Sequence, residues 1–381
     1  MECIRCHNTN PIYFYKDKDE YYCRKCIAFG RINVQEKPIA KKYKTRQWKV
    51  HYHLDYALTS YQKKAIQKVN IYLKKKEDVL VYAATGAGKT EIIMQSIENY
   101  LNAGKKVGIA ISRRQVVLEI CERIQTAFSS LKVIAVCEGH TKVVDGDIIV
   151  CTMHQLYRYY QTFDLLIMDE VDAFPYRGND VLEAIAHHSC KGQIIYLTAT
   201  PDEKMLKMVQ TNTLKMVTLF KRPHGYPLIV PRCVKLPSLF QFIYLFKFLN
   251  EQHTLKKQTL VFVPTIHMAN ILESILSFLY PCASLTSKTR NKDEIAQKMR
   301  DKKYEFLIAT TILERGITIP GVDVVVLYAD HIVFNEASLI QIAGRVGRSM
   351  KMPIGKCVFL YEKKNKEIHR CVAAIERMNA S

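Results

Sequence analysis

The sequence is short of acidic residues and lacks any apolar stretch long enough to cross a bilayer. Its 381 residues include 36 Asp and Glu against 56 Lys and Arg, a formal net charge of +20. An excess of this size favours a polyanionic partner such as nucleic acid. No apolar stretch approaches the about 18 residues that a membrane span requires, and the first residues lack the apolar segment of a signal peptide. We therefore expect a cytoplasmic protein that binds a polyanion.

A disulfide framework is not expected either, because a reducing cytosol keeps cysteines as thiols or metal ligands. Four of the twelve cysteines fall in the first 26 residues, as two Cys-x-x-Cys pairs separated by sixteen residues. That spacing suits a structural Zn²⁺ held by four thiolates, with no ligand position left for water. What this module binds is open between DNA, a partner protein and the neighbouring lobe. The predicted zinc ligands are Cys3, Cys6, Cys23 and Cys26.

Short apolar segments alternate with helical patterns along most of the chain, which indicates parallel sheets covered by helices on both faces. The alternation stops once, where four prolines cluster within residues 218–238. We therefore predict an α/β fold with two tandem lobes behind the zinc module. The predicted segments are a zinc module at 1–30, a basic connector at 31–55, a first lobe at 56–217, an inter-lobe linker at 218–238 and a second lobe at 239–381.

A phosphate-binding loop follows the predicted strand Val79–Ala83. The segment matches the P-loop pattern, except that its first position is Ala83 instead of glycine. Backbone N–H groups of such a loop point at phosphate oxygens at a helix N-terminus. Lys89 would contact the β- and γ-phosphates of ATP, and the Thr90 hydroxyl would bind Mg²⁺. The predicted nucleotide-binding residues of the loop are Thr85, Gly86, Ala87, Gly88, Lys89 and Thr90.

Two carboxylates follow the predicted strand Leu165–Met168, at the edge where a P-loop needs its metal partner. Asp169 is predicted to hold Mg²⁺, and Glu170 to orient and deprotonate the attacking water. Acidic residues at a helix N-terminus would give the same pattern through the helix dipole. The P-loop in the same lobe favours the catalytic interpretation.

Two arginines lie one helical turn apart in the second lobe, within Gln341–Arg348. Arg345 and Arg348 are predicted arginine fingers, because a planar and permanently charged guanidinium stabilises the transferring phosphoryl group. Without a P-loop in the first lobe, an exposed basic helix start would be the favoured explanation of the pattern.

The order and spacing of these motifs resembles superfamily-two helicases and translocases, over residues 58–378. The resemblance implies two RecA-like lobes and gives roles to further residues. Gln62 would read adenine, Gly316 would contact the nucleotide, and Thr198 with Thr200 would couple hydrolysis to lobe movement. The resemblance does not choose between Thr310 and Thr311 for a phosphate contact. The implied nucleic-acid contacts are Arg113, Arg114, Thr152, Thr310 and Thr311.

Within that superfamily, the four-cysteine module, Asp169–Pro175 and Gln341–Ser349 together resemble the ComFA family of competence proteins. That resemblance implies an ATP-dependent single-stranded DNA translocase that drives uptake of transforming DNA, with ATP, Mg²⁺ and Zn²⁺ as cofactors. It also implies a place at the inner face of the cell membrane, with ComFC and the uptake channel as partners, and is compatible with oligomerisation. Two alternatives stay open: a PriA-like replication-restart or repair helicase, and an ATP-gated adaptor with incidental turnover.

Overall fold

A computed structural model describes residues 1–34, 40, 43, 45–311 and 319–381. The chain divides into a first unit of Met1–Ala83 with Lys89–Leu219, and a second unit of Ala84–Gly88 with Phe220–Ser381. No helix in the described part of the chain is long and apolar enough to span a membrane. Each unit contains one large parallel sheet, which confirms the predicted α/β class.

The cysteine-rich segment folds around a small hairpin. Strand β1 (Phe14–Asp17) pairs antiparallel with β2 (Glu20–Cys23), and short 3₁₀ helices lie at Pro11–Tyr13 and Ile27–Phe29. The buried side chains at the centre of this segment are the four cysteines. A segment this short cannot bury much apolar surface. Its fold therefore depends on the contacts among the four cysteines.

The rest of the first unit is a seven-stranded sheet with helices. In chain order its elements are α1 (Ser60–Lys74), β3 (Val79–Ala83), α2 (Lys89–Asn102), β4 (Val107–Ile111), α3 (Arg114–Ala127), β5 (Val133–Val136), β6 (Ile148–Thr152), β7 (Phe163–Asp169), α4 (Asp180–Ser189), β8 (Cys190–Thr198), α5 (Glu203–Gln210) and β9 (Lys215–Leu219). The strand order is β5-β6-β4-β7-β8-β3-β9, and all neighbours are parallel. The central strands β4 and β6 are buried throughout, as their Val- and Ile-rich sequences predict.

The register of this sheet brings the sequence motifs to one edge. Thr198 pairs with Tyr82, and Asp169 lies between Leu197 and Ile111 on its two neighbouring strands. Because all the strands are parallel, their carboxyl ends meet at the same edge, which is where open α/β sheets bind ligands. The P-loop, the two carboxylates and the threonines after β8 therefore share that edge.

The second unit is a six-stranded sheet. Its elements are β10 (Arg232–Lys235), α6 (Ser238–Thr254), β11 (Thr259–Phe262), α7 (Ile266–Leu276), β12 (Cys282–Leu285), α8 (Lys292–Arg300), β13 (Phe306–Ala309), β14 (Asp323–Val326), α9 (Glu336–Ala343), β15 (Cys357–Tyr361) and α10 (Lys366–Asn379). The strand order is β10-β15-β14-β11-β13-β12, again with parallel neighbours. Buried apolar side chains from α6, α7 and the central strands form its core.

Candidate functional site

The loop after β3 has the backbone of a phosphate-binding turn. Gly86 and Gly88 adopt φ of 82° and 94°, a conformation that L side chains rarely adopt. The Ala87 N–H donates to the Ala84 carbonyl at 3.1 Å, which closes the turn. Helix α2 begins at Lys89, so the loop opens onto a helix N-terminus with its unpaired N–H groups. The loop is built to bind phosphate.

Lys89 and Asp169 form an ion pair at the carboxyl ends of the strands in the first unit's sheet. The Lys89 ammonium lies 3.9 Å from Asp169 Oδ1, and both side chains are largely buried. Burial raises the pKa of Asp169 above its ordinary value, and the Lys89 ammonium opposes that shift. A divalent cation would favour the ionised carboxylate further. Oxygen donors of this kind, with the buried Thr90 hydroxyl on α2, fit a hydrated Mg²⁺.

Glu170 has an unusual backbone and an unsatisfied side chain. Its φ is 55°, in the left-handed region where a residue with a side chain is strained. The Ser112 hydroxyl donates to the Glu170 carbonyl at 3.3 Å and holds this bend from β4. Glu170 Oε2 is buried and finds no hydrogen-bond partner among the described residues. A buried acceptor of this kind calls for a ligand or water, as a general base would.

The predicted coupling threonines bond to the acidic loop. Thr198 Oγ1 and Thr200 Oγ1 donate to the two carboxylate oxygens of Asp172 at 2.7 and 2.6 Å. The Thr200 N–H also donates to Thr198 Oγ1 at 3.0 Å. The loop after β7 and the loop after β8 are thus joined by charge-assisted hydrogen bonds. A shift of one loop must move or break its link to the other.

A buried carboxylate next to the P-loop was missed by the sequence analysis. Glu91 follows Thr90 on α2, and its Oε1 accepts hydrogen bonds from Tyr56 Oη and from Arg123 Nη2, the latter at 2.8 Å. Arg123 Nη1 also lies 3.4 Å from Thr90 Oγ1. The network joins α3 to the magnesium-binding position of α2. Its only sequence signal is an acidic residue directly after the P-loop threonine.

Gln62, the predicted adenine reader, takes part in the start of α1. Its Oε1 accepts from the Thr59 N–H at 3.0 Å, and its own N–H donates to Thr59 Oγ1 at 3.2 Å. This capping box explains why the helix begins at Ser60. The structure thus gives Gln62 a local structural role, and adenine recognition stays a prediction.

The predicted nucleic-acid contacts of the first unit follow two neighbouring strands. Arg113 and Arg114 begin α3 after β4, and Thr152 ends β6, which pairs with β4. Arg114 is exposed, and its Nε donates to the Glu138 carbonyl at 2.9 Å. The three residues therefore share the carboxyl edge of one sheet.

The remaining predicted residues belong to the second unit. Thr310 and Thr311 directly follow β13 and are partly exposed. Arg345 is buried and Arg348 is partly exposed, both just after α9. Gly316 lies outside the described residues, so its role stays a prediction.

The four cysteines form a closed cluster with the dimensions of a zinc site. Their sulfur atoms all lie within 4.8 Å of one another. The Cys3–Cys26 and Cys6–Cys23 sulfur pairs are each 3.7 Å apart. Tetrahedral coordination with Zn–S bonds of about 2.3 Å requires sulfur–sulfur edges of about 3.8 Å. The residues therefore fit a four-thiolate zinc ion.

The cysteine module packs on the first unit's sheet domain, which is one of the three contacts left open above. The Phe29 ring lies 6.0 Å from the His154 ring and 5.8 Å from the Tyr157 ring. Both partners belong to the 3₁₀ helix Met153–Arg158, which directly follows Thr152. Lys25 Nζ also lies 3.9 Å from Asp180 Oδ2. The module thus supports the segment next to a predicted nucleic-acid contact.

Two segments of the chain match known protein families. Residues 55–203 match the family described as "Type III restriction enzyme, res subunit". Residues 240–350 match the family described as "Helicase conserved C-terminal domain". The first segment contains the P-loop and the two carboxylates predicted to be catalytic, and the second contains the paired arginines.

Full-length relatives extend the likeness to the cysteine module. The chain is 36% identical to a protein of Streptococcus pneumoniae described as "Competence protein ComFA", over 99% of this chain and 90% of that protein. It is 33% identical to the Bacillus subtilis protein of the same description, over 99% of this chain and 85% of that one.

Solved structures share the fold at low sequence identity. Saccharomyces cerevisiae Dbp5 bound to RNA and ADP BeF3 has a TM-score of 0.62 at 17% identity, over 84% of this chain and 91% of that one. RecG bound to a three-way DNA junction has a TM-score of 0.60 at 18% identity, over 85% of this chain and 47% of that one. These likenesses confirm the fold expected from the sequence, two RecA-like lobes.

Proposed function

Because the chain belongs to the ComFA family of competence proteins, within the superfamily-two helicases, we propose that it is an ATP-driven motor that translocates single-stranded DNA during uptake of transforming DNA. Family membership makes it a DNA-dependent ATPase that uses ATP with Mg²⁺. The observation that carries the proposal is the unsatisfied, buried Oε2 of Glu170 on the same sheet edge as the P-loop and Asp169.

The proposed chemistry gives each sequence motif one role. Lys89 neutralises charge on the β- and γ-phosphates, and Thr90 with Asp169 holds Mg²⁺. Glu170 orients the attacking water and accepts its proton. Arg345 and Arg348 stabilise charge on the γ-phosphoryl group as it transfers.

Hydrolysis is proposed to reach the DNA through the loops at the sheet edges. The Asp172 carboxylate ties the loop after β7 to Thr198 and Thr200, so a change at the γ-phosphate alters the loop after β8. The DNA contacts go to phosphates, which position a strand without reading its sequence. The proposed contact residues are Arg113, Arg114, Thr152, Thr310 and Thr311.

The family also supports a cellular setting. We place the motor in the cytoplasm at the inner face of the membrane, with ComFC and the uptake channel as partners. The net charge of +20 suits a protein that handles an anionic polymer.

Nucleic-acid stimulation of ATP hydrolysis tests this proposal. Single-stranded DNA is expected to raise kcat by at least about tenfold, and duplex DNA and single-stranded RNA by much less. The measurement is steady-state hydrolysis with each polymer at equal nucleotide concentration. A kcat that no nucleic acid changes, but that a protein partner raises, would replace the motor with an ATP-gated adaptor.

Zinc is proposed to hold the N-terminal module together through Cys3, Cys6, Cys23 and Cys26. Cys23→Ser is expected to lose bound zinc and expose the module to proteolysis, because its core consists of the ligands themselves. Basal ATP hydrolysis should persist, since the P-loop and both carboxylates belong to other elements. Metal content by mass spectrometry and limited proteolysis measure the two effects.

Cys233→Ser is the matched control, because Cys233 is an exposed thiol of the second unit. Unchanged zinc content in the Cys23→Ser protein would show that the ligand set is wrong.

A further inference from the structure

A buried arginine of the second unit binds the turn that carries the paired arginines. Arg222 is 2% exposed. Its Nη1 donates to the carbonyls of Val346 and Gly347 at 2.7 and 2.8 Å, and its Nη2 donates to the carbonyl of Gly344 at 2.8 Å. Its Nε donates to the Thr85 carbonyl of the phosphate-binding loop at 2.9 Å. His224 adds a bond from Nε2 to the Gly347 carbonyl at 2.9 Å. Two side chains of one short segment thus hold one turn.

The turn needs such a partner because it follows a helix end. Helix α9 ends at Ala343 with Gly344 as its C-cap, where carbonyl groups have no partner within the helix. A cation at this end also interacts favourably with the helix dipole. Burial nevertheless lowers the pKa of Arg222 to about 10, and the nearby charge of Arg348 adds to the shift. Burying a guanidinium is costly, and the hydrogen bonds to four carbonyls offset that cost.

The opposite side of the turn is fixed by close packing. Gly347 has φ of 64°, and a Cβ at this position would lie 2.3 Å from the Pro353 carbonyl oxygen. The backbone from Gly344 to Gly347 is therefore held by Arg222 on one side and by Pro353 on another. Arg345 lies within this stretch of backbone, and Arg348 follows it directly.

We propose that Arg222 is a positioning residue for ATP hydrolysis, which sets the direction of Arg345 and Arg348 through the carbonyls of the turn. The inference rests on the proposed function of those two arginines as fingers. Arg222 acts through backbone carbonyls, three in the turn and that of Thr85 in the phosphate-binding loop.

The geometry requires arginine at this position, and another positively charged side chain does not suffice. A planar guanidinium donates from Nε, Nη1 and Nη2 at once and reaches all four carbonyls. A lysine ammonium is a single point on a flexible chain and cannot replace that fork. Arg222→Lys therefore keeps the charge and removes the alignment.

Steady-state kinetics of Arg222→Lys in the full chain test the proposal. We expect kcat to fall by about 10²-fold, with KM for ATP within about twofold of wild type. Affinity for Mg·ADP with aluminium fluoride should fall with kcat, while affinity for Mg·ADP alone should not. The melting temperature reports on stability, and Arg232→Lys, an exposed arginine on β10, is the control.

A double-mutant cycle separates positioning from general damage. The second background is the protein that carries both Arg345→Ala and Arg348→Ala, because Arg222 is proposed to direct both arginines. Arg222→Lys should cost less than about twofold there, because a finger that is absent cannot be misaligned. If Arg222→Lys lowers kcat in that background by the same factor as in the wild-type protein, the proposal is overturned.

Other outcomes are equally decisive. A normal kcat in Arg222→Lys, with Arg345→Ala or Arg348→Ala severely impaired, would overturn the positioning role and leave the fingers in place. Normal kcat in both alanine variants would overturn the finger assignment and the positioning role together. If Arg222→Lys lowers the melting temperature, His224→Ala is the second variant. It removes one bond to Gly347 and the bond that His224 Nδ1 accepts from the Tyr226 N–H, and it leaves Arg222 in place. That variant should lower kcat several-fold at unchanged KM, and an unchanged kcat would also overturn the proposal.

Discussion

Replacing Lys89 with alanine is expected to lower kcat for ATP hydrolysis by about 10³-fold or more, with or without DNA. The side chain begins α2 beside the phosphate-binding turn, and its ammonium lies 3.9 Å from Asp169 Oδ1. Its removal takes away the charge that stabilises the transferring phosphoryl group, and leaves a buried carboxylate with one partner fewer. Steady-state hydrolysis measures the loss, and circular dichroism verifies the fold.

Lys68→Ala provides the control for lost charge, because Lys68 lies on the exposed face of α1. A Lys89→Ala protein that still hydrolyses ATP at the wild-type rate would contradict the assignment of the P-loop. A contaminating ATPase would give the same residual rate in every variant, so the comparison detects it.

Glu170→Gln is expected to lower kcat by about 10²- to 10⁴-fold while ATP remains bound. The amide keeps the size of the side chain but cannot accept a proton from water. The bend at Glu170 should persist, because the Ser112 hydroxyl bonds to the backbone carbonyl and not to the side chain. Retention of radiolabelled ATP on the protein, measured beside hydrolysis, tests both halves of the expectation.

Glu203→Gln, at an exposed position in the first turn of α5, is the matched control for lost carboxylate charge. Rapid hydrolysis by the Glu170→Gln protein would mean that the general base lies elsewhere. Loss of ATP binding would mean that Glu170 contributes to the binding of ATP before hydrolysis.

The strands with continuous apolar sequence were predictable, and the polar ones were not. The strand Val79–Ala83 has the predicted bounds, and the predicted strand Leu165–Met168 lies within β7 (Phe163–Asp169). Strands β9, β10 and β12 were not predicted. Lys215–Leu219 and Arg232–Lys235 mix charged with apolar residues at sheet edges, and Cys282–Leu285 is short and begins with small residues. Edge strands bury only part of their surface, so their sequences carry a weak apolar signal.

The chemical motifs were predictable because each occupies a few adjacent positions. Each motif is local in sequence: this holds for the P-loop, for the carboxylates after β7 and for the paired arginines. Contacts between distant residues were not predictable. Tyr56 reaches Glu91 across 35 positions, and Arg222 reaches Gly344 across 122. The four prolines of 218–238 favoured a linker there, and nothing in that composition indicated a buried guanidinium.

The position of β3 in its sheet has a consequence for how the protein is made. This strand is the first of the seven-stranded sheet to leave the ribosome, yet its two neighbours, β8 and β9, are the last. One edge of β3 therefore stays unpaired in the nascent chain until β8 has emerged, and the other edge until Leu219 has emerged. Such long-range pairing is slow. The phosphate-binding loop is attached to this late-closing strand. A chain that ends before Leu219 therefore carries the loop on a strand whose sheet is incomplete.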